Sequence, residues 1–183
     1  MCVRPLAGAA ICPRCWRDPP EFDRLHCGFV FEGTVRTAIH QLKYRGARHL
    51  AEPLALEMLR AIGRVDLPDV IVPVPLHPAR FAQRGYNQAA LLARIVGESL
   101  DASVDESNLR RIRNTAAQVS LSGPERWQNV RGAFEATSER FSGASVLLID
   151  DVATTGSTLR SAASALKLGG ARRVNAMVLA RAV

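Results

Sequence analysis

The sequence contains little lysine and few aromatic side chains. Only Lys43 and Lys167 among its 24 basic residues are lysines, and Phe, Trp and Tyr make up 5% of the 183 residues. Single strands of nucleic acid are held by aromatic stacking as well as by charge, so this composition gives thin support to such a role. The formal net charge of +7 favours polyanionic partners. Arginine forks grip phosphate bidentately, although an arginine-biased genome would produce the same excess.

Long apolar runs and common nucleotide-binding motifs are also missing. No apolar run approaches the ~20 residues of a membrane span, and MCVRPLAGAAICPRCW is too short and interrupted in its apolar part for a secretion signal. We therefore expect a cytoplasmic protein with no membrane span. Neither GxxxxGK[ST] nor GxGxxG after a strand occurs, which weakens nucleotide-hydrolase and dinucleotide-cofactor functions. The oligomeric state is not predicted.

The cysteines cluster near the N-terminus, at Cys2, Cys12, Cys15 and Cys27. The middle two have zinc-knuckle spacing, and such a cluster in a cytosolic protein favours metal over disulfides. One pair needs two more ligands, for which the other two cysteines and His26 are candidates; an empty, degenerate site is the alternative. We predict a Cys-containing N-terminal segment over residues 1–27, then one domain over residues 28–183.

Strands and helices alternate along the rest of the chain. We predict strands over residues 28–32, 69–75, 145–151 and 174–180, and helices over residues 34–44, 49–62, 88–100 and 156–168. Thr34 is expected to cap the first helix. We expect residues 76–87 to form a loop, and residues 109–131 a short strand, a mobile loop and a short helix. The alternation predicts an α/β fold with a parallel sheet flanked by helices.

Residues 146–159, VLLIDDVATTGSTL, carry the strongest local signal. Asp150 and Asp151 stand at the carboxyl end of an apolar strand, where open α/β sheets bind ligands. Hydroxyl side chains follow, Gly156 allows a close backbone approach, and the next helix begins with free N–H groups that suit phosphate. Carboxylates suit sugar hydroxyls or magnesium. The combination predicts a ribose 5-phosphate site.

Helix capping and phosphatase chemistry are the two alternatives for this motif. Serine, threonine and aspartate are common helix caps, so each residue taken singly would be unremarkable. An acidic strand end also occurs in haloacid-dehalogenase-like phosphatases, but their Asp-x-Asp motif is absent.

The same stretch closely resembles the motif with which type I phosphoribosyltransferases bind phosphoribosyl pyrophosphate (PRPP). Four further segments resemble the ComF family within that superfamily: CPRCWRDPPEFD, IHQLKYRG, VPVPLHPARFAQRGYNQAALLA and RRIRNTAAQVSLSGPERWQNVRGAF. The resemblance covers about residues 12–183. It implies a type I phosphoribosyltransferase fold with a small zinc module, although Pro5 replaces one cysteine of the family's first Cys-x-x-Cys pair.

The resemblance also implies roles for three segments. The PRPP-binding residues would be Asp150, Asp151, Val152, Ala153, Thr154, Thr155, Gly156, Ser157 and Thr158, and the two acids would be catalytic. A pyrophosphate loop would contain Pro75, Leu76, Arg80 and Arg84, and a hood loop Arg111, Arg113, Thr115 and Gln118. The alternatives are a solvated basic loop for the former, and a structural loop or a nucleic-acid contact for the latter. Lys43 and Tyr44 match the family without an assigned role, and packing is the role that we favour for them.

The implied function is that of a ComF-type protein of natural competence and DNA uptake. It would bind PRPP with Mg²⁺, hold Zn²⁺ in its N-terminal module, and contact single-stranded DNA and a competence DNA helicase. The alternative is an active phosphoribosyltransferase, a glycosyltransferase of nucleotide salvage, whose acceptor is unidentified because no base-binding segment is recognisable. A PRPP-sensing regulator is a third option.

Overall fold

A computed structural model describes residues 13–113 and 131–182. Cys2, Cys12, Thr115 and Gln118 lie outside the described residues. Within the described ranges, no helix combines the length and apolarity that crossing a bilayer requires.

Helices and strands alternate along the described chain. The strands are β1 (Arg24–Val30), β2 (Val70–Pro73), β3 (Leu109–Arg111), β4 (Phe134–Ala136), β5 (Ser145–Ala153) and β6 (Arg173–Arg181). The helices are α1 (Pro13–Arg17), α2 (Gly33–Tyr44), α3 (Ala51–Ile62), α4 (Pro78–Arg84), α5 (Gln88–Leu100), α6 (Ser138–Phe141) and α7 (Ser157–Leu168), with a 3-10 turn at Arg48–Leu50.

Four strands form a parallel sheet in the order β1-β6-β5-β2, and β3 pairs with β4 in a separate antiparallel ribbon. Successive side chains of a strand point to opposite faces. Val146 and Leu148 of β5 accordingly pack in the core on the α7 side, whereas Leu147 and Ile149 pack against α2, α3 and α5. Helices cover both faces, which confirms the predicted α/β class.

β5 extends beyond β2 at the carboxyl edge of the sheet. The last paired residue of β2 is Pro73, opposite Ile149, and the Val74 amide donates one further bond to the Ile149 carbonyl at 2.8 Å. On its other side, β5 stays paired with β6 as far as Ala153. Since β2 ends first, the sheet has an open notch beside Asp150 and Asp151.

The predicted loop over residues 76–87 is wrong, because α4 lies within it. Its local signals are those of a helix: the His77 ring accepts a bond from the Ala79 amide, Pro78 stands in the first turn, and Gly85 ends the helix at φ 77°. A left-handed φ of this kind favours glycine.

Two other boundaries also differ from the prediction. Glu32, not Thr34, occupies the N-cap of α2, and its side chain forms no capping bond. β1 begins at Arg24 and pairs with β6 along its length. The domain boundary predicted after residue 27 therefore falls inside a strand of the central sheet.

Candidate anion-binding cleft at the carboxyl edge of the sheet

A cleft of about 640 Å³ opens at the notch beside β5. Many of the residues singled out from the sequence line it: Pro75, Leu76, Arg80, Arg84, Arg111, Asp150, Asp151, Val152, Thr154 and Thr158. They come from three separate segments of the chain, residues 75–84, Arg111 and residues 150–158, so the fold brings together groups that the sequence keeps far apart.

Asp150 and Asp151 lie on opposite faces of β5 at the floor of the cleft. Strand alternation places Asp150 on the α7 face and Asp151 on the face covered by α2. They are only 8% and 2% exposed. One oxygen of each carboxylate accepts the backbone N–H of the next residue at 2.9 Å, which fixes both side chains.

Lys43, in the last turn of α2, forms an ion pair with Asp151. Its Nζ lies 2.6 Å from Asp151 Oδ2. Burial acts to lower the pKa of Lys43, but the attraction of Asp151 outweighs it and raises that pKa. Burial likewise opposes ionisation of Asp151, and the Lys43 charge nevertheless lowers its pKa. Burial and the Asp151 charge raise the pKa of Asp150 well above its usual range.

Three arginines complete the charge of the cleft. Burial and repulsion from Arg80 lower the pKa of Arg111, whose guanidinium lies 5.4 Å from the centre of the Phe134 ring. The Arg84 guanidinium lies 5.2 Å from the centre of the Tyr44 ring. With Lys43, four cationic groups face two carboxylates. Cations held close enough to repel each other in a cleft suit an anionic ligand.

The segment between α4 and α5 is anchored at several points. The Tyr86 hydroxyl donates to the Leu42 carbonyl, and the Asn87 amide donates to the Val74 carbonyl at 3.0 Å. Asn87 also caps α5 by accepting the Ala89 N–H at 3.0 Å. Arg84 donates to Gln88 of α5. These bonds hold the arginine-bearing helix α4 against the end of β2.

The hydroxyl-rich turn after β5 leads into α7. Gly156 adopts φ 78° at the N-cap, and no side chain caps the helix there. The Thr155 and Ser157 hydroxyls lie 2.7 Å apart and bond to each other. Thr154 and Thr158 line the cleft on either side of this turn. Ala153 is buried, and its carbonyl accepts the Ala182 N–H at 3.0 Å, which holds the end of β5.

Other predicted site residues lie elsewhere. Arg113 is exposed and donates to the Arg131 carbonyl at 2.8 Å. Cys27 lies in β1, packs against the core and donates to the Phe29 carbonyl at 3.2 Å; burial raises the pKa of its thiol, which disfavours a thiolate ligand. Within the ranges that the structure describes, no three His, Cys, Asp or Glu residues form a metal-binding group. Zinc binding stays a prediction.

Eight residues that line the cleft were not predicted from the sequence as site residues: Phe31, Lys43, Tyr44, Gly46, Val74, Gln83, Tyr86 and Gln88. Tyr44, to which the resemblance gives no role, forms part of the same wall. One signal was available for Lys43, because it is one of only two lysines among 24 basic residues.

A parallel sheet with twin acids and a hydroxyl-rich turn at its carboxyl edge defines a phosphoribosyltransferase-type domain. The phosphoribosyl transferase domain family matches residues 68–182, and the chain belongs to that family. It is similar to the DNA utilization protein YhgH of Salmonella typhimurium, with 33% identity over 187 aligned residues covering 98% of this chain and 82% of that protein.

Two further similarities extend the comparison. Competence protein F of Haemophilus influenzae is 31% identical over 179 residues, covering 93% of this chain and 78% of that protein. A solved glutamine PRPP amidotransferase from B. subtilis matches 70% of this chain and 26% of its own, with 21% identity and a TM-score of 0.47. The competence and DNA utilization relatives confirm the resemblance to the ComF family.

Proposed function

We propose that this chain binds PRPP in the cleft and acts as a cytoplasmic, ComF-type protein of natural competence and DNA utilization. The observation that carries the proposal is the charge pattern of the cleft, where four cations and two buried carboxylates line one cavity beside the start of α7. PRPP needs this mixture, because it has phosphates at both ends and hydroxyls between them.

Each part of the ligand has a matching group. The 5-phosphate would accept bonds from the backbone N–H groups and hydroxyls between Ala153 and Thr158. The carboxylates of Asp150 and Asp151 would accept bonds from the ribose hydroxyls. The pyrophosphate would lie against the arginines of α4 and β3, since Arg forms strong charge-assisted bonds with phosphate.

Magnesium fits this site only in part. Both oxygens of Asp151 are engaged, one by the Val152 N–H and the other by Lys43. A Mg²⁺ ion that accompanies PRPP would therefore be held chiefly by the pyrophosphate and by Asp150. It would supply charge neutralisation for the leaving pyrophosphate.

The first test is calorimetric titration with PRPP and Mg²⁺. We expect Asp150→Asn to weaken binding by about tenfold or more, and Asp150→Asn with Asp151→Asn by about a hundredfold or more, since each charge-assisted bond contributes roughly 1.5–3 kcal/mol. Asp101→Asn is the control, because Asp101 is an exposed helix C-cap at φ 51°, a conformation that Asn tolerates. Unchanged affinity in the folded double variant would contradict the assignment.

Contact with single-stranded DNA is the second part of the proposal. It is supported by the net charge of +7 and by the names of the competence and DNA utilization relatives. Fluorescence anisotropy with a labelled oligonucleotide should give a dissociation constant well below the ~10⁻⁴ M typical of weak non-specific charge binding, and that constant should rise with salt. A dissociation constant above ~10⁻⁴ M would contradict the proposed contact with single-stranded DNA. Copurification with a competence DNA helicase would test the proposed protein partner.

An active phosphoribosyltransferase is the second candidate, and the family match over residues 68–182 favours it. The reaction would break the bond between C1 of the ribose and the pyrophosphate oxygen, and a nitrogen nucleophile would form the new bond to C1. Incubation with PRPP, Mg²⁺ and a panel of bases would detect it as pyrophosphate release. PRPP binding without release above background would favour the binding role.

A further inference from the structure

We propose that Lys43 is a resident cation of the cleft, which neutralises Asp151 and makes PRPP binding largely independent of a divalent metal. The inference rests on the proposed PRPP site and assigns to Lys43 a positioning role there. It starts from the 2.6 Å ion pair between Lys43 Nζ and Asp151 Oδ2 at the cleft floor.

The position of Lys43 is fixed by its surroundings. Lys43 belongs to the last turn of α2, where a cation also interacts favourably with the helix dipole. The preceding residue, Leu42, is fully buried and accepts the Tyr86 hydroxyl bond through its carbonyl. The following residue, Tyr44, lies beneath the Arg84 guanidinium. Anchors on both sides therefore hold the ammonium at Asp151.

The choice of lysine suits this role. The other cations of the cleft, Arg80, Arg84 and Arg111, carry planar guanidinium forks, whereas the ammonium of lysine is a compact point charge. Such a charge can sit against one carboxylate oxygen, as a small metal ion would. The chain has only two lysines, and one of them, Lys43, lies against the buried carboxylate of Asp151.

The ion pair also limits what a metal could bind. With one Asp151 oxygen on the Val152 N–H and the other on Lys43, a divalent ion would have to displace the ammonium to reach this carboxylate. The ribose side of the site would therefore be neutralised by the protein itself. The anionic pyrophosphate would then meet a basic cleft even without metal.

The test is PRPP titration by calorimetry in Mg²⁺ and in excess chelator. We expect the wild-type affinity to fall less than tenfold when the metal is removed. Removal of the metal should lower the PRPP affinity of Lys43→Met by a factor at least ten times larger than for the wild type, because Asp151 then lacks its cation. Lys43→Arg keeps the charge, so its loss of PRPP affinity in chelator should be closer to that of the wild type. Lys167→Met is the matched control, since it removes the only other lysine, which pairs with Asp23 on the surface.

The outcomes separate this inference from the proposed function. PRPP binding in Mg²⁺ that falls tenfold or more in chelator for the wild type would overturn the role of Lys43 and leave the PRPP site standing. The same metal dependence in folded Lys43→Met and wild type would also overturn it. If Lys43→Met fails to fold, the wild-type affinities in Mg²⁺ and in chelator still test the role of Lys43. Absence of PRPP binding in every condition would overturn the proposed function, and this inference with it.

Discussion

Asp150 and Asp151 are adjacent in β5 but affect the stability of the fold in opposite directions. Asp151 is ionised against Lys43, so its partner compensates for its burial. The pKa of Asp150 is raised well above its usual range, since burial and the neighbouring charge both disfavour its ionised form. A carboxyl group buried under such conditions costs stability, and strongly perturbed groups of this kind cluster at functional sites.

We predict opposite signs for two substitutions. At pH 7, Asp150→Asn should raise the free energy of unfolding, because it removes a disfavoured charge. Asp151→Asn should lower it by about 1–3 kcal/mol, because it leaves the half-buried Lys43 without its counter-ion. Urea unfolding of both variants measures the difference. Equal destabilisation by the two would contradict this account of the pair.

The pH dependence of the same pair follows from the direction of each pKa shift. The folded-state pKa of Asp151 is depressed, so its stabilisation is present above the unfolded pKa of about 3.9 and is lost as the pH falls through the folded value. The folded-state pKa of Asp150 is raised, so its cost is absent below about pH 3.9 and grows as the pH rises through the folded value. Wild type and Asp150→Asn should therefore converge in stability at acid pH.

At the scale of elements, the contact between α2 and the α4–α5 connection shapes the cleft. The Tyr86 hydroxyl reaches the Leu42 carbonyl, and the Arg48 guanidinium stacks over the Tyr86 ring at 4.5 Å. This contact joins the helix that carries Lys43 to the segment that carries the arginines of α4. Removal of this contact should therefore lower the free energy of unfolding and disturb the arrangement of the cleft residues.

Tyr86→Phe tests this contact. Removal of the hydroxyl leaves a buried carbonyl without its partner, which should lower the free energy of unfolding by about 1–3 kcal/mol. Tyr44→Phe is the control, since Tyr44 is 63% exposed and Tyr86 only 7%; we expect a change within about 0.5 kcal/mol. Denaturant melts of the two variants provide the comparison, and equal stabilities would mean that the hydroxyl bond adds nothing.

Several elements could be predicted from sequence because their signals are local. Helix α5 has the predicted bounds, since Asn87 caps it and its apolar residues recur at helical spacing. The apolar runs of β2 and β5 likewise identified two strands of the parallel sheet. Helix α4 was not predicted because three closely spaced prolines and a run of polar residues resemble a loop, although His77, Pro78 and Gly85 carry helix-boundary signals.

The partners of the site could not be predicted in the same way. The pairing of Lys43 with Asp151 depends on how α2 packs across the sheet, which no local pattern encodes. The resemblance identified Arg80, Arg84 and Arg111 as site residues. The approach of Arg80 to Arg111, and the burial and repulsion that lower the pKa of Arg111, follow from tertiary structure alone.

At the scale of the whole molecule, the described part of the N-terminal segment is fastened to the phosphoribosyltransferase-type body. Arg160 of α7 bonds Asp18 at 2.6 Å and Glu21 at 2.9 Å. Phe22 is 2% exposed within the main core, and the Asp23 carboxylate accepts the Val174 N–H at 2.8 Å. These contacts tie the segment to α7 and β6. The irregular, cysteine-rich composition of residues 1–27 did not predict this attachment.

The two lysines of this chain also offer a practical route for spectroscopy. Lys167 stands at the far end of α7, about 15 Å along the helix from the hydroxyl-rich turn at 1.5 Å per residue. The Lys43 side chain is 20% exposed and ion-paired at the cleft floor, whereas that of Lys167 is 37% exposed at the surface, so an amine-reactive fluorophore would attach preferentially at Lys167 and at the terminal amine. Because amines are scarce, Lys167 is a single side-chain labelling site outside the cleft. The fluorescence of a dye attached there could report ligand binding without the introduction of a cysteine.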